Sequence, residues 1–274
     1  MDSFFLHGER LVISDQGPHE NNKNYQSVRK FSQSNNMSIK STIKWIYDVS
    51  QQDKLLEKIL LPKVEAVKFD SLSSLDTYFT RRNTSIYTDK AISLQELSNF
   101  LYLAYPKHNN RKESHFSHDN LSSLTGRGSS CRLIMFIQNV TSLRTGIYLY
   151  DEYDHCLYLF KKCSSRQIQQ LLKANCFQDE FVSSPIMFAQ LGSLVESSQH
   201  VSESVNRYIM IEDGMQIQRM YMAASTLSLA CYLTGSLIKA SIEKWVGIDN
   251  FNFSLSSAFV LGHYEEPEEE DQWL

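Results

Sequence analysis

The sequence predicts an α+β domain with a central, mostly antiparallel sheet, and three observations carry that reading. Strands are few, helices are long, and two Tyr/Leu-rich runs flank a polar turn in "TGIYLYDEYDHCLYLFKK" (145–162), the pattern of an antiparallel hairpin. The chain has 274 residues, 42% of them hydrophobic, enough for one large domain or two small ones.

The elements follow in order. Residues 16–40, with "QGPHENNKNYQSVRKFSQSNN", are polar and rich in Asn, Ser and Gln, the composition of an arm without a core of its own. "STIKWIYDVSQQDKLLEKIL" (41–60) has helical spacing at Ile43, Ile46, Leu55, Leu56 and Ile59. A short helix is expected at 71–82. "SLQELSNFLYLAY" (93–105) pairs Ser93 as N-cap with Glu96, a capping-box signature. Residues 106–128 read as a long loop. "RLIMFIQNV" (132–140) is a buried strand, followed by the hairpin, a capped amphipathic helix at 164–175 and another buried strand, "PIMFAQLG" (185–192). "RYIMIEDGMQIQRMYMAASTLSLA" (207–230) is a long, largely apolar helix interrupted by Glu212, Asp213 and Gly214. In helical geometry Glu212, Gln216 and Arg219 share one polar stripe. A helix at 236–247, ended by Gly247, and a strand at 254–264 complete the set. "EEPEEEDQWL" (265–274) is a solvated acidic run in which Trp273 and Leu274 offer apolar anchors.

Composition excludes several functions. A formal charge of −4 without a basic stripe argues against nucleic acid. No apolar run spans a bilayer, and "MDSFFLHGER" lacks a signal-peptide pattern, so no membrane association and a cytoplasmic location are expected. The cysteines at 131, 156, 163, 176 and 231 form no C-x-x-C pair, which leaves no expected metal site and fits reduced thiols. Motifs for serine hydrolases, zinc proteases, P-loops and dinucleotide folds are absent.

Segment order nonetheless resembles the nitroreductase-fold flavoproteins. "SLSSLDTYFTRRNTSIYTDKAISLQELSNFLYLAY" is similar to their opening, in which an R-R-S-x-R type motif precedes a helix introduced by Ser or Thr. The central-helix motif R-Y-x-L-x-E-x-G-x-x-x-Q-N-x-x-L-A-A-x-x-L-G-L is matched at Arg207, Tyr208, Glu212, Gly214, Gln218, Ala223, Ala224 and Leu229. "GIYLYDEYDHCLYLF" resembles the G-x-Y-x-Y hairpin of the SagB/McbC-like branch, and "SSAFVLGHYEEP" the closing strand. That branch oxidises thiazolines and oxazolines in ribosomal peptide natural products such as thiopeptides and bacteriocins. The resemblance spans roughly 60–266. It divides the chain into an N-terminal extension (1–60), an FMN domain (61–266) and an acidic tail (267–274).

The resemblance implies a homodimer with FMN at the subunit interface. Its partners would be a cyclodehydratase, leader-peptide-binding subunits and an azoline-containing precursor peptide. Arg81 and Arg82 fall where the family binds the FMN phosphate, a task suited to the guanidinium fork. Asn83 replaces the usual serine, and Ser85 stands where a second cation is expected. "TGRGSSCRL" (125–133) replaces the branch's P-S-x-G-x-x-Y-P; Gly126, Gly128, Ser129 and Ser130 offer donors there and Arg127 a charge. The branch's Lys-Tyr proton-handling pair becomes His200 and Val201. Histidine can act as the base, its unperturbed pKa being ~6.5, and Tyr208 is the second candidate. Gly235, in "CYLTGSLIK", lies where a family turn approaches the flavin; its plainer reading is a helix C-cap. These departures keep open a non-catalytic scaffold subunit on the same fold. A stand-alone nitro- or quinone reductase is a third reading, which the hairpin and the long N-terminal region oppose.

Overall fold

The computed structural model describes residues 57–64, 87–105, 131–152, 154–177, 180–193, 205–248 and 253–264, all within a unit spanning Ile43–Leu274. The arm at 16–40, most of the 41–60 segment, the helix at 71–82, the loop at 106–128 and the acidic tail lie outside the described residues.

Among the described residues twelve elements follow one another: β1 (Glu57–Leu60), α1 (Leu94–Ala104), β2 (Cys131–Ile137), β3 (Gly146–Asp151), β4 (Cys156–Lys162), α2 (Ser165–Asn175), α3 (Glu180–Ser183), β5 (Ile186–Ser193), α4 (Val205–Thr226), β6 (Ala230–Thr234), α5 (Lys239–Val246) and β7 (Phe253–Gly262). Among the described residues the strands form a seven-stranded sheet in the order β1-β4-β3-β2-β5-β7-β6, and every pair is antiparallel. This is the expected α+β class.

The apolar runs at β2 and β5 lie in the middle of the sheet, where both faces are covered. One face packs α1 and α4 over Leu133, Met135, Tyr148, Leu159, Phe188 and Phe259. Alternate positions such as Ile134, Phe136, Ile147 and Met187 are equally buried and turn to the opposite face. There Glu243 of α5 accepts from the Leu255 amide of β7 at 2.7 Å. The expected capping box of Ser93 with Glu96 opens α1, and the capped start expected for α2 is a capping box of Ser164 with Gln167.

Three elements differ from expectation. Residues 57–60 form an edge strand against β4 rather than the end of a helix; the four-residue spacing of Leu55 and Ile59 imitates a helix, but a free sheet edge takes the backbone. The long helix ends at Thr226, and the next apolar stretch, "ACYLT", becomes edge strand β6. Gly235 therefore follows a strand, not a helix, and its helix-cap reading is corrected. Among the described glycines the left-handed one is Gly247 (φ 91°), which caps α5 as expected.

Candidate functional site

α4 is inside-out over its first half. Glu212, Asp213 and Gln216 are buried, at 1%, 4% and 2% exposure, whereas Met210 (62%), Ile211 (46%), Met215 (38%) and Met222 (36%) face outward. Gly214 lies on the same outer face, and a methyl group there would meet nothing within 4 Å. Buried polar groups cost free energy unless bonded, and the inner face supplies bonds. Asp213 accepts from the Ser257 hydroxyl at 2.9 Å, and Gln216 donates to the Ala104 carbonyl at 2.8 Å. The polar stripe foreseen from spacing is thus real for Glu212 and Gln216, while Arg219 is half-buried.

A polar cluster lies between this helix and the sheet. Gln190, a polar residue inside the otherwise apolar middle of β5, donates to the Tyr105 hydroxyl at 2.7 Å and approaches Met220 Sδ at 3.6 Å. The β5–β7 register shifts between Gln190 and Leu191. At this irregularity the Ser256 hydroxyl turns onto the Gln190 carbonyl at 3.2 Å. Such bulges re-aim side chains locally, here bringing Ser257 to Asp213. Burial raises the Asp213 carboxyl above the ordinary aspartate value, against the lowering effect of bonds from Ser257 and Ser256. Burial also raises the Tyr105 phenol well above its usual range. The Cys131 thiol is raised by burial first, then by the charges of Asp213 and Glu212, so it remains a thiol rather than a nucleophile. The Gln190 and Gln216 side-chain oxygens are buried and accept no hydrogen bond.

Tyr208 sits half-buried in the first turn of α4. The next residue, Ile209, presses onto β5 so closely that a Cβ at Gly192 would lie 2.4 Å from its Cγ2. Gly192 pairs with Cys131, so the start of α4 lies over the sheet end where β2 begins and β5 finishes. Cys131 directly follows the 125–130 stretch, and Ser193 and Val205 bound the stretch containing His200. β6 runs toward that same end, since Thr234 pairs with Ala258 and Ala258 with Ala189. Gly235, just beyond, is exposed, with open space where a Cβ would stand. Arg81, Arg82, Asn83, Ser85, Arg127, Gly128, Ser129, Ser130 and His200 lie outside the described residues. Tyr87, the first described residue after Arg81–Ser85, packs against Gly262 at the opposite sheet end, 2.5 Å from its would-be Cβ. Among the described residues, Asp151, Asp154 and Cys156 cluster closely enough to offer metal ligands. Asp154 there pairs with Lys58 at 2.6 Å.

The sheet, its two helical layers and the central α4 define the nitroreductase fold. No protein-family model matches the sequence. A candidate nitroreductase of Methanocaldococcus jannaschii is 20% identical over 197 residues, 71% of this chain and 91% of its own length. A candidate nitroreductase structure from Anabaena variabilis superimposes with a TM-score of 0.60 at 19% identity, over 77% of this chain; the match spans only 42% of that larger chain. A chain of the E. coli microcin synthetase McbBCD complex, with truncated pro-MccB17 bound, superimposes with a TM-score of 0.56 at 12% identity. That match covers 95% of this chain and 99% of the other. Among the described residues no helix is long and apolar enough to cross a membrane.

Proposed function

We propose that the chain is an FMN-dependent dehydrogenase that oxidises thiazolines and oxazolines to thiazoles and oxazoles in a ribosomally made peptide, as a subunit of a synthetase complex. The observation that carries this reading is the position of the motif. Arg207, Tyr208, Glu212, Gly214, Gln218, Ala223 and Ala224 all fall on α4, which packs on the nitroreductase-like sheet and turns a second apolar face outward. The G-x-Y-x-Y sequence forms β3 of the expected hairpin. The likeness to a chain of a peptide-modifying synthetase, over nearly the full length of both, supports the choice of branch.

The residue types on offer suit FMN: two successive arginines for a phosphate, a Gly/Ser stretch that precedes β2 in the sequence, and open ground at Gly235. Arg81 and Arg82 would hold the phosphate, aided by Asn83, Ser85 and Arg127, while Gly128, Ser129 and Ser130 would donate to the ring system. Bound FMN supplies the hydride acceptor; the protein supplies position and proton handling. His200 would take the proton from the azoline ring carbon next to the carbon that loses hydride. Tyr208, on the first turn of α4, would be the second candidate for that base.

The outer face of α4 supports the homodimer. A buried-type surface of Met210, Ile211, Met215 and Met222 surrounds a glycine that lets a second helix come close. The cyclodehydratase, the leader-binding subunits and the precursor peptide belong to the same reading. It is tested by reconstituting the protein with such subunits. Flavin absorbance should co-elute on gel filtration, and each azoline should lose a pair of hydrogens; neither occurring rejects the proposal. The replacement of Lys-Tyr by His200 and Val201 favours a second reading, a non-catalytic scaffold on the same fold. Unchanged azole output from His200→Ala, with assembly lost only on interface substitutions, would select it.

A further inference from the structure

The charge of the molecule is unevenly placed. The chain as a whole is acidic, at −4, yet the helix pair behind the sheet is basic. α2 starts next to the end of β4, where Lys161 lies 3.9 Å over the Trp245 ring and donates to the Trp245 carbonyl at the end of α5. At the other end of the pair the Ile238 amide, ahead of α5, donates to the Asn175 carbonyl of α2 at 2.9 Å. The two helices therefore run antiparallel, side by side. Lys162, Arg166, Lys173 and Lys244 are exposed on this part of the molecule. Arg166 and Lys173 are two turns apart and share a face of α2. α2 contains no acidic residue, and the acid of α5, Glu243, is buried and holds the Leu255 amide.

We propose that the acidic segment 265–271 of the same chain docks on the basic face formed by the end of β4, α2 and α5. Its charge is complementary: Glu265, Glu266, Glu268, Glu269, Glu270 and Asp271 are separated only by Pro267. Its point of departure is also suitable. Leu261, near the end of β7, pairs with Ile186, Ile186 with Ile137, Ile137 with Gly146, and Gly146 with Lys162. The tail thus leaves from the sheet end at which β4 delivers Lys162 and α2 begins. Four strand spacings of ~4.8 Å separate the two points by about 19 Å. His263 is held beside Thr88 and Glu96, so the seven residues 265–271, about 23 Å long when extended, bring the carboxylates nearest Asp271 to Lys162 and Arg166. Proline suits such an extended run because it needs no ladder hydrogen bond. The docked segment screens a cationic surface that would otherwise attract acidic segments of other proteins. This docking is independent of the flavin reading.

Zero-length carbodiimide coupling, which joins carboxylates to lysines in contact, tests it on the full chain with peptide mass spectrometry. Links from 265–271 should concentrate on Lys162 and Lys244, and should fall severalfold at about 1 M salt, where the screening length is ~3 Å. They should fall likewise in the K162E/R166E/K244E variant. Coupling equally strong to a lysine off this face, such as Lys58 on the outer edge strand β1, would overturn the proposal. So would links formed only between light and heavy copies in an isotopically mixed sample, since the acid would then come from a second molecule. Urea titration of the variant separates lost docking from lost folding: a native midpoint with undiminished links also rejects the site.

Discussion

Gly192 shows how a single missing side chain positions the candidate site. Ile209 is β-branched and its Cγ2 cannot retreat, so Gly192→Ala is expected to cost roughly 1–3 kcal/mol through overpacking. Gly235→Ala, in open space with no left-handed backbone, should stay within about 0.5 kcal/mol of wild type. Urea denaturation of the two variants checks the contrast, and equal losses would refute it. Asp213 carries a pH signature. Its folded pKa is raised by burial, so the folded chain binds more protons than the unfolded one just above the ordinary aspartate value of ~3.9. Stability from this group is complete below that value and declines as pH rises through the folded pKa. Asp213→Asn keeps an acceptor for Ser257 and loses this decline. Its gain over wild type should grow from pH 4 to pH 8, and parallel stability profiles would exclude the effect. Glu212, Asp213 and Gly214 were visible in the sequence as an anomaly in an apolar helix. Which side they faced was not, because an all-round apolar helix has no preferred face to read. Gln190 was legible only as one polar letter in a strand; its partner Tyr105 lies 85 residues away.

Among the elements, those announced by local chemistry were the legible ones. Ser93 with Glu96 and Ser164 with Gln167 place two helix starts to within a residue, because a capping box satisfies backbone donors at a fixed spacing. Ser164→Ala should cost about 1 kcal/mol, read as a lower thermal midpoint with the sheet unchanged. The end of α4 gave no such sign. Ser228 adopts the left-handed conformation (φ 52°), and the Leu229 amide closes back on the Ala224 carbonyl at 2.9 Å. Glycine or asparagine would have marked that stop; a serine between two leucines looks like more helix, which hides β6. Ser228→Gly relieves the positive φ and should stabilise the fold by up to about 1 kcal/mol. A loss of stability would show that the serine side chain itself holds the turn.

The molecule as a whole is a sheet between two helical layers with one apolar helix face turned outward. If that face joins two copies, charge on it should separate them. Ile211→Glu with Met215→Glu is expected to shift sedimentation from dimer to monomer and to release flavin, while circular dichroism stays native. A wild-type monomer would remove the dimer from the proposal. The edge strand β1 has another consequence. It touches the sheet through β4 alone, and the ion pair beside it, Lys58 with Asp154, joins residues 96 apart in sequence. Closing so long a chain loop carries an entropic cost, while four short, mostly exposed residues return little of it; Leu60 is 70% exposed. Local opening of that border therefore needs far less free energy than opening the centre. Backbone amides of Glu57–Leu60 should exchange with deuterium well before those of β2 and β5, so the sheet has a loose margin on its β1 side and a slow interior.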